Sequence, residues 1–301
     1  MNKASHFLYK VLENKTITWF KDNNKYLVLE NETADILKRI SKGVSVTEIG
    51  AALSKKLGVP LEKATDFVID LEKQFYNTET TKETGIINDY RDIEKPKEYE
   101  FIKYYKINNI LFKVKYFSEY ELYLAHPKFG HLEVKNTTDF EYEFVVFTNN
   151  NFTFLIVDGT FIGAWSRKDI HFFQGKFSME LIQKIHQKEE NEWMGVFHAS
   201  AVSNNKKSIL FLGDSGNGKS TSLALLQANG FTCLADDFVP VDAKKQEVYS
   251  FPAAISIKKN SLETLLPMYS ELENSAEFYF KRLDKLVRYL QPNNTNFFAH
   301  L

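Results

Sequence analysis

The sequence predicts a two-domain chain of mixed α/β class (α+β overall): a small winged-helix-like unit, then a larger α/β domain with a β-rich first half. Three observations carry that expectation. Two short apolar strands and three amphipathic helices are spelled out in order between Thr16 and Tyr76. Alternating Phe, Tyr, Val and Leu fill Ile107 to Trp165, the period-2 pattern of strands. An apolar strand, a glycine-rich turn and a helix follow one another from Ser208 to Gly230. At 301 residues the chain is long enough for two cores.

In the first unit, Ile17-Thr18-Trp19-Phe20 and Tyr26-Leu27-Val28-Leu29 read as strands joined by a turn at Asp22-Asn23-Asn24. Asn31 is placed to cap a helix carrying Ala34, Leu37 and Ile40 on one face, with Gly43 ending it. Ser45 and Glu48 have the spacing of a capping box, ahead of a helix expected to turn Ile49, Ala52, Leu53 and Leu57 inward. Gly58 closes that helix, and Pro60 opens a third with the stripe Ala64, Phe67, Val68, Leu71 and Phe75.

From Asn77 to Glu98 the sequence turns polar and loses periodicity, so the expected division is 1–80, a linker at 81–98, and a second domain at 99–301. Asn149-Asn150-Asn151 and Asp158-Gly159 supply hairpin turns in the β-rich half. His126 and His131 lie there with no acid or thiol at a metal spacing, and are read as packed or surface histidines. Ser178 to Glu190 has Met179, Ile182 and Ile185 at helical spacing.

Gly213-Asp214-Ser215-Gly216-Asn217-Gly218-Lys219-Ser220-Thr221 fits the phosphate-loop pattern G-x-x-x-x-G-K-[ST] without a mismatch. Glycines let several backbone N–H groups point at one anion, and Lys219 adds a mobile cation for the outer phosphates. Ser220 offers a hydroxyl to Mg²⁺, and the helix that follows aims its positive end at the loop. Ser208 to Leu212 reads as a buried strand leading in, and Gly230 as the helix stop. Downstream, Thr232-Cys233-Leu234-Ala235-Asp236-Asp237 is an apolar strand ending in paired carboxylates. One of these can hold the metal while the other accepts a proton from an attacking hydroxyl. His198 can bind the metal or orient a carboxylate. Cys233, the single cysteine, excludes an internal disulfide and reads as a buried, inert thiol.

Composition narrows the partners. A net charge of -1 gives no electrostatic case for nucleic acid or an anionic membrane. No stretch approaches the length of a membrane-spanning helix and the N-terminus lacks a signal-peptide core, so the expected setting is the cytoplasm.

Two resemblances add to this. The first unit, through Tyr26-Leu27-Val28-Leu29, Asn31-Glu32-Thr33-Ala34 and Val44-Ser45-Val46-Thr47-Glu48-Ile49, resembles the PqqD-like leader-recognition fold of ribosomal-peptide maturation systems. That resemblance implies an extended peptide added as a strand beside the small sheet. From about Phe197 to Val239 the chain resembles the HPr kinase/phosphorylase family, through a histidine strand, the loop Gly213–Ser220, and Leu234-Ala235-Asp236-Asp237. His198-Ala199-Ser200-Ala201 is also similar to the histidine-strand motif of ATP-dependent phosphoenolpyruvate carboxykinases, which share that nucleotide-binding fold. The resemblance implies Mg²⁺-ATP held by the loop, Ser220 and Asp236 at the metal, and Asp237 as base. Asp236 would pair with His198 or the metal, and the division of labour between the two aspartates stays open.

The implied activity is an ATP-dependent kinase acting on a serine or threonine of a peptide or protein. A nucleotide-gated regulator without catalysis and a small-molecule kinase are the alternatives. Members of the family form oligomers, so a homo-oligomer accords with the resemblance. Departures from the family pattern are Thr221 where an acid is usual, and no basic Gly-Arg loop before Leu301. Arg282 and Arg288 do not fit that loop, so the resemblance does not extend to phosphorolysis or to HPr as substrate. Nor does it extend to a carboxykinase reaction, because the rest of that family's oxaloacetate site is not visible. The early end after Tyr289-Leu290-Gln291-Pro292 suggests a truncated or divergent short form.

Overall fold

A computed structural model describes residues 7–20, 25–75, 94–136, 138–204, 207–280 and 285–293. The chain is of mixed α/β class and divides into two compact units, Met1–Thr84 and Gly85–Leu301. The turn expected at Asp22-Asn23-Asn24 and most of the linker lie outside the described residues, as does Arg282.

The first unit is an antiparallel meander, β1 (Phe7–Leu12), β2 (Lys15–Phe20) and β3 (Lys25–Glu30), followed by α1 (Asn31–Ser41), α2 (Val46–Leu57) and α3 (Leu61–Phe75). β1 was not expected from the sequence, because Phe7 to Leu12 lacks a clear alternation of apolar and polar residues. Thr16, Thr18 and Phe20 of β2 are buried, and Phe20 packs with Leu37, Ile40, Ile49, Val68 and Leu71. Each such side chain contributes roughly 1.5–3 kcal/mol by leaving water.

Two expectations are corrected here. Asn31 does not cap α1: it is the first helical residue, and its side chain accepts from Thr16 Oγ1 (2.7 Å) and donates to Glu13 O (2.9 Å), tying down the β1–β2 turn. Ser45 Oγ does accept from the Glu48 N–H at 3.2 Å, half of the reciprocal pair expected. On α2, Ile49 is buried but Ala52 and Leu57 face solvent, because α1 and α3 cover only a narrow stripe of this helix.

The second unit opens with β4 (Phe101–Ile107), β5 (Ile110–Tyr116), α4 (Glu119–Phe129), β6 (Glu133–Val134), β7 (Tyr142–Asn149), β8 (Phe152–Val157) and β9 (Thr160–Ser166). These form one sheet in the order β6-β4-β5-β7-β8-β9, antiparallel except for the parallel pair β5–β7. A parallel pair needs a crossover, and α4 supplies it. Asn108-Asn109, Asn150-Asn151 and Asp158-Gly159 all sit at positive φ, the left-handed pairs that tight hairpins require. α5 (Ile170–His186) starts eight residues before the Ser178 start expected and buries Phe173, Phe177, Leu181, Ile182 and Ile185 against the sheet. His126 and His131 are packed: Nδ1 of His126 meets the Tyr105 hydroxyl at 2.8 Å, and Nε2 of His131 donates to Pro252 O at 3.0 Å.

Next come β10 (Trp193–Phe197), β11 (Ser200–Ser203), β12 (Ser208–Phe211), α6 (Lys219–Ala228), β13 (Thr232–Asp236), β14 (Val239–Asp242), β15 (Ile255–Lys258), α7 (Leu262–Leu265), β16 (Phe278–Phe280) and β17 (Lys285–Leu290). β11 lies between β12 and β13 and is antiparallel to both, so the latter two point the same way and end beside Ser200. The approach strand is therefore not buried as expected. β12 is at the edge of this small sheet, with Ile209 50% exposed. Cys233 is buried, and burial pushes its thiol far up, as an inert thiol requires.

Candidate functional site

The phosphate-loop residues lie between β12 and α6. Gly213, Gly216 and Gly218 have φ of 146°, 106° and 78°, values that L side chains rarely adopt. A Cβ on Gly216 or Gly218 would meet nothing within 4 Å, so backbone conformation, and not crowding, is what demands glycine there. Asp214 O accepts from Asn217 N (3.3 Å), closing the turn, and Gly218 leads directly into α6. Lys219 Nζ lies back along the loop, donating to Gly213 O (2.7 Å) and Asp214 O (3.1 Å). Thr221 Oγ1 shares a 2.7 Å hydrogen bond with Ser261 Oγ.

Asp236, the last residue of β13, is 2% exposed. Three donors converge on it: Ser200 Oγ at 2.6 Å, Ser220 Oγ at 3.0 and 2.9 Å to the two oxygens, and Ser256 N at 3.0 Å. A buried carboxylate persists only with such partners. Burial and the neighbouring Asp237 charge still push its proton affinity up.

Asp237 has φ 65°, and Phe238 N–H donates back to Asp236 O at 2.8 Å around it, so the second carboxylate is presented from a strained three-residue turn. Strain of this kind, of order 1–3 kcal/mol, clusters at functional sites. Asp237 Oδ2 accepts from Lys128 Nζ at 2.9 Å and from Ser256 Oγ at 3.4 Å. Burial opposes its ionisation, but the Lys128 ammonium outweighs that and holds the carboxyl below its ordinary value.

His198 departs from the expected arrangement. It lies in the bend after β10 and not on a strand. Its Nδ1 is 4.0 Å from Asp237 Oδ1, and Asp236 is taken by the serines instead. The side chain is 62% exposed, free to turn toward a bound group.

Loop, carboxylates and sheet edges enclose a cleft of about 250 Å³. Ser215, Gly216, Gly218, Lys219, Ser220, Thr221, His198 and Asp237 line it; Gly213, Asp214 and Asn217 do not, and Asp236 lies behind Ser220. Lys128, Lys258 and Lys285 also line it, and sequence reasoning missed all three. Lys258 had a legible signal: in β15, buried Ile255 and Ile257 alternate with Ser256 and Lys258, which places the latter two on the opposite face. Lys128 had none, because it reaches the site through the docking of α4, whose Lys128 O accepts from Ala254 N at 2.8 Å.

The residues suit a magnesium-bound polyphosphate: a glycine-rich loop at the start of a helix, several ammonium groups, and a hydroxyl–carboxylate pair of hard oxygen donors. Among the described residues no cluster of three or more His, Cys, Asp or Glu could hold a metal by itself. Magnesium sites commonly use one or two carboxylates and leave the rest of the shell to water and phosphate oxygens. No helix of the described residues is long and apolar enough to cross a membrane. No family model matches the chain, and no curated protein or solved structure matches it either.

Proposed function

We propose that the second unit is an ATP-dependent phosphotransferase that phosphorylates a serine or threonine of a peptide or protein, and that the first unit holds that substrate. The observation that carries this reading is the Ser220–Asp236 pair at the foot of the loop, with Asp237 displayed beside it at the cleft wall. Ser220 and Asp236 would hold Mg²⁺, and the loop N–H groups with Lys219 would hold the phosphates. Bound there, Mg²⁺ would neutralise charge on the phosphates. Asp237 lines the cleft and would orient an acceptor hydroxyl by hydrogen bond. It would take the hydroxyl proton as the new O–P bond forms and the bond from the γ-phosphorus to the bridging oxygen breaks, with ADP leaving. His198, 4.0 Å from Asp237, would have to turn toward that carboxylate to orient it. The loop is open and the pocket small, so positioning would supply most of the rate.

In the first unit, among the described residues, β3 pairs only with β2, and Tyr26 and Val28 are 64% and 68% exposed along it. An open edge with apolar side chains suits addition of an extended peptide strand, and tethering there raises substrate concentration at a weak catalytic pocket.

A single-turnover reaction of the intact chain with γ-labelled ATP, Mg²⁺ and synthetic peptides from the short reading frames flanking its gene tests the whole reading. Label moving to a peptide hydroxyl supports it. Label staying on ATP despite tight nucleotide binding favours a nucleotide-gated regulator. The Lys128–Asp237 ion pair favours that second reading, because a carboxylate held ionised by a cation is a weak proton acceptor.

A further inference from the structure

Lys258 and Lys285 stand out because nothing in the phosphate-loop motif calls for them. They come from neighbouring antiparallel strands, with Lys258 opposite Val287, so the two lysines sit on one face of the sheet as a diagonal pair. Both ammonium groups converge on one hydroxyl: Lys258 Nζ donates to Ser215 Oγ at 3.2 Å and Lys285 Nζ at 3.0 Å. Lys219 lies on the other side of the loop, on the Gly213 and Asp214 carbonyls. Among the described residues none of the three has a carboxylate within ion-pair distance, although the chain as a whole is slightly acidic. Burial, and after it the neighbouring Lys285 and Lys219 cations, hold Lys258 below its ordinary value, although the Asp237 and Asp236 carboxylates offset this in part. Like charges held together by a rigid sheet are tolerated where an anion is meant to sit between them.

We propose that Lys258 and Lys285 form a terminal-phosphate clamp, and that the cleft thereby selects a donor with three linked phosphates over one with two. This deepens the phosphotransferase reading and rests on it. The loop N–H groups hold the inner phosphates of either donor, and Lys219, a mobile cation, can reach the outer phosphate of either, so the selection falls to the two sheet lysines. The clamp puts charge on the group to be transferred.

Titration calorimetry of the full chain with Mg²⁺-ATP, Mg²⁺-ADP and inorganic tripolyphosphate tests this, beside Lys258→Gln, Lys285→Gln and the double variant, each checked for an unchanged melting profile. The wild type is expected to prefer ATP over ADP by about tenfold or more, the scale of one charge-assisted contact. The double variant should lose most of that preference while its ADP affinity changes far less, and tripolyphosphate should weaken in step with ATP. If the double variant misfolds, the single variants, each losing part of the preference, carry the test. A preference that survives in the variants, or equal losses for ATP and ADP, overturns the clamp alone. A wild type that binds none of the three overturns both the clamp and the phosphotransferase reading.

Discussion

Replacing Lys128 with methionine removes one ammonium and keeps most of the side chain's bulk. Asp237 then loses its 2.9 Å partner while remaining beside Asp236 in a strained turn. The two side chains are 22% and 26% exposed, so water screens the pair in part. Exposed pairs contribute about 0–1 kcal/mol, and breaking a fully buried one costs about 3–5 kcal/mol, which places this one near about 2 kcal/mol. Its sign with pH follows from the depressed carboxyl. A group whose folded-state proton affinity is lowered stabilises the fold above its unfolded value of about 3.9, and that stability is lost as pH falls through the folded value. Urea unfolding should show the full gap between wild type and Lys128→Met at neutral pH and a shrinking gap below about pH 4. Carbon-detected titration of the Asp237 carboxyl, read in the Asp236→Asn background so that one group titrates, should move upward in the variant. A gap that stays constant across that range, together with an unmoved carboxyl midpoint, would show that Lys128 acts by packing alone.

Other outcomes follow from the same geometry. Lys219→Ala should lose nucleotide binding, whereas Asp237→Asn should bind nucleotide and fail in transfer; wild-type turnover by Asp237→Asn would remove its role as base. Because burial and Asp237 raise the proton affinity of Asp236, magnesium must displace a proton, so Mg²⁺-nucleotide affinity should climb with rising pH and level off above the raised value; a flat profile across mildly acid pH would place the metal elsewhere. Arg288 bridges Glu277 and the carbonyls of Leu272 and Glu273, so Arg288→Ala should cost about 2 kcal/mol in thermal unfolding and leave nucleotide affinity alone. Weaker binding with an unchanged melting temperature would contradict that structural role.

The sequence was most legible where local rules dominate. Gly43 and Gly58 sit at positive φ at the ends of α1 and α2, and Asn150-Asn151 and Asp158-Gly159 turn hairpins, because left-handed backbone is a property of single residues. That a helix follows the glycine-rich loop was legible for the same reason. Less could be read where the answer depended on what packs against an element. Asn31 has the chemistry of a cap, yet the nearby β1–β2 turn offered its amide better partners. Leu57 falls on a helical apolar stripe, but no described residue of the first unit covers it. Within the cleft, the expected pairing of Asp236 with His198 is not seen, since the serines that claim Asp236 come from three different segments.

The parallel pairing of β5 with β7 carries one more consequence. It sends the chain out of the sheet through α4 and so brings Lys128 to a carboxylate 109 residues further on. Severing the chain between β9 and β10 would thus yield a C-terminal piece that retains every motif recognisable by eye, yet has lost the counter-ion of its second aspartate. Dissection guided by sequence patterns would then report on a weakened relic of the cleft, while the intact second unit reports on the cleft itself.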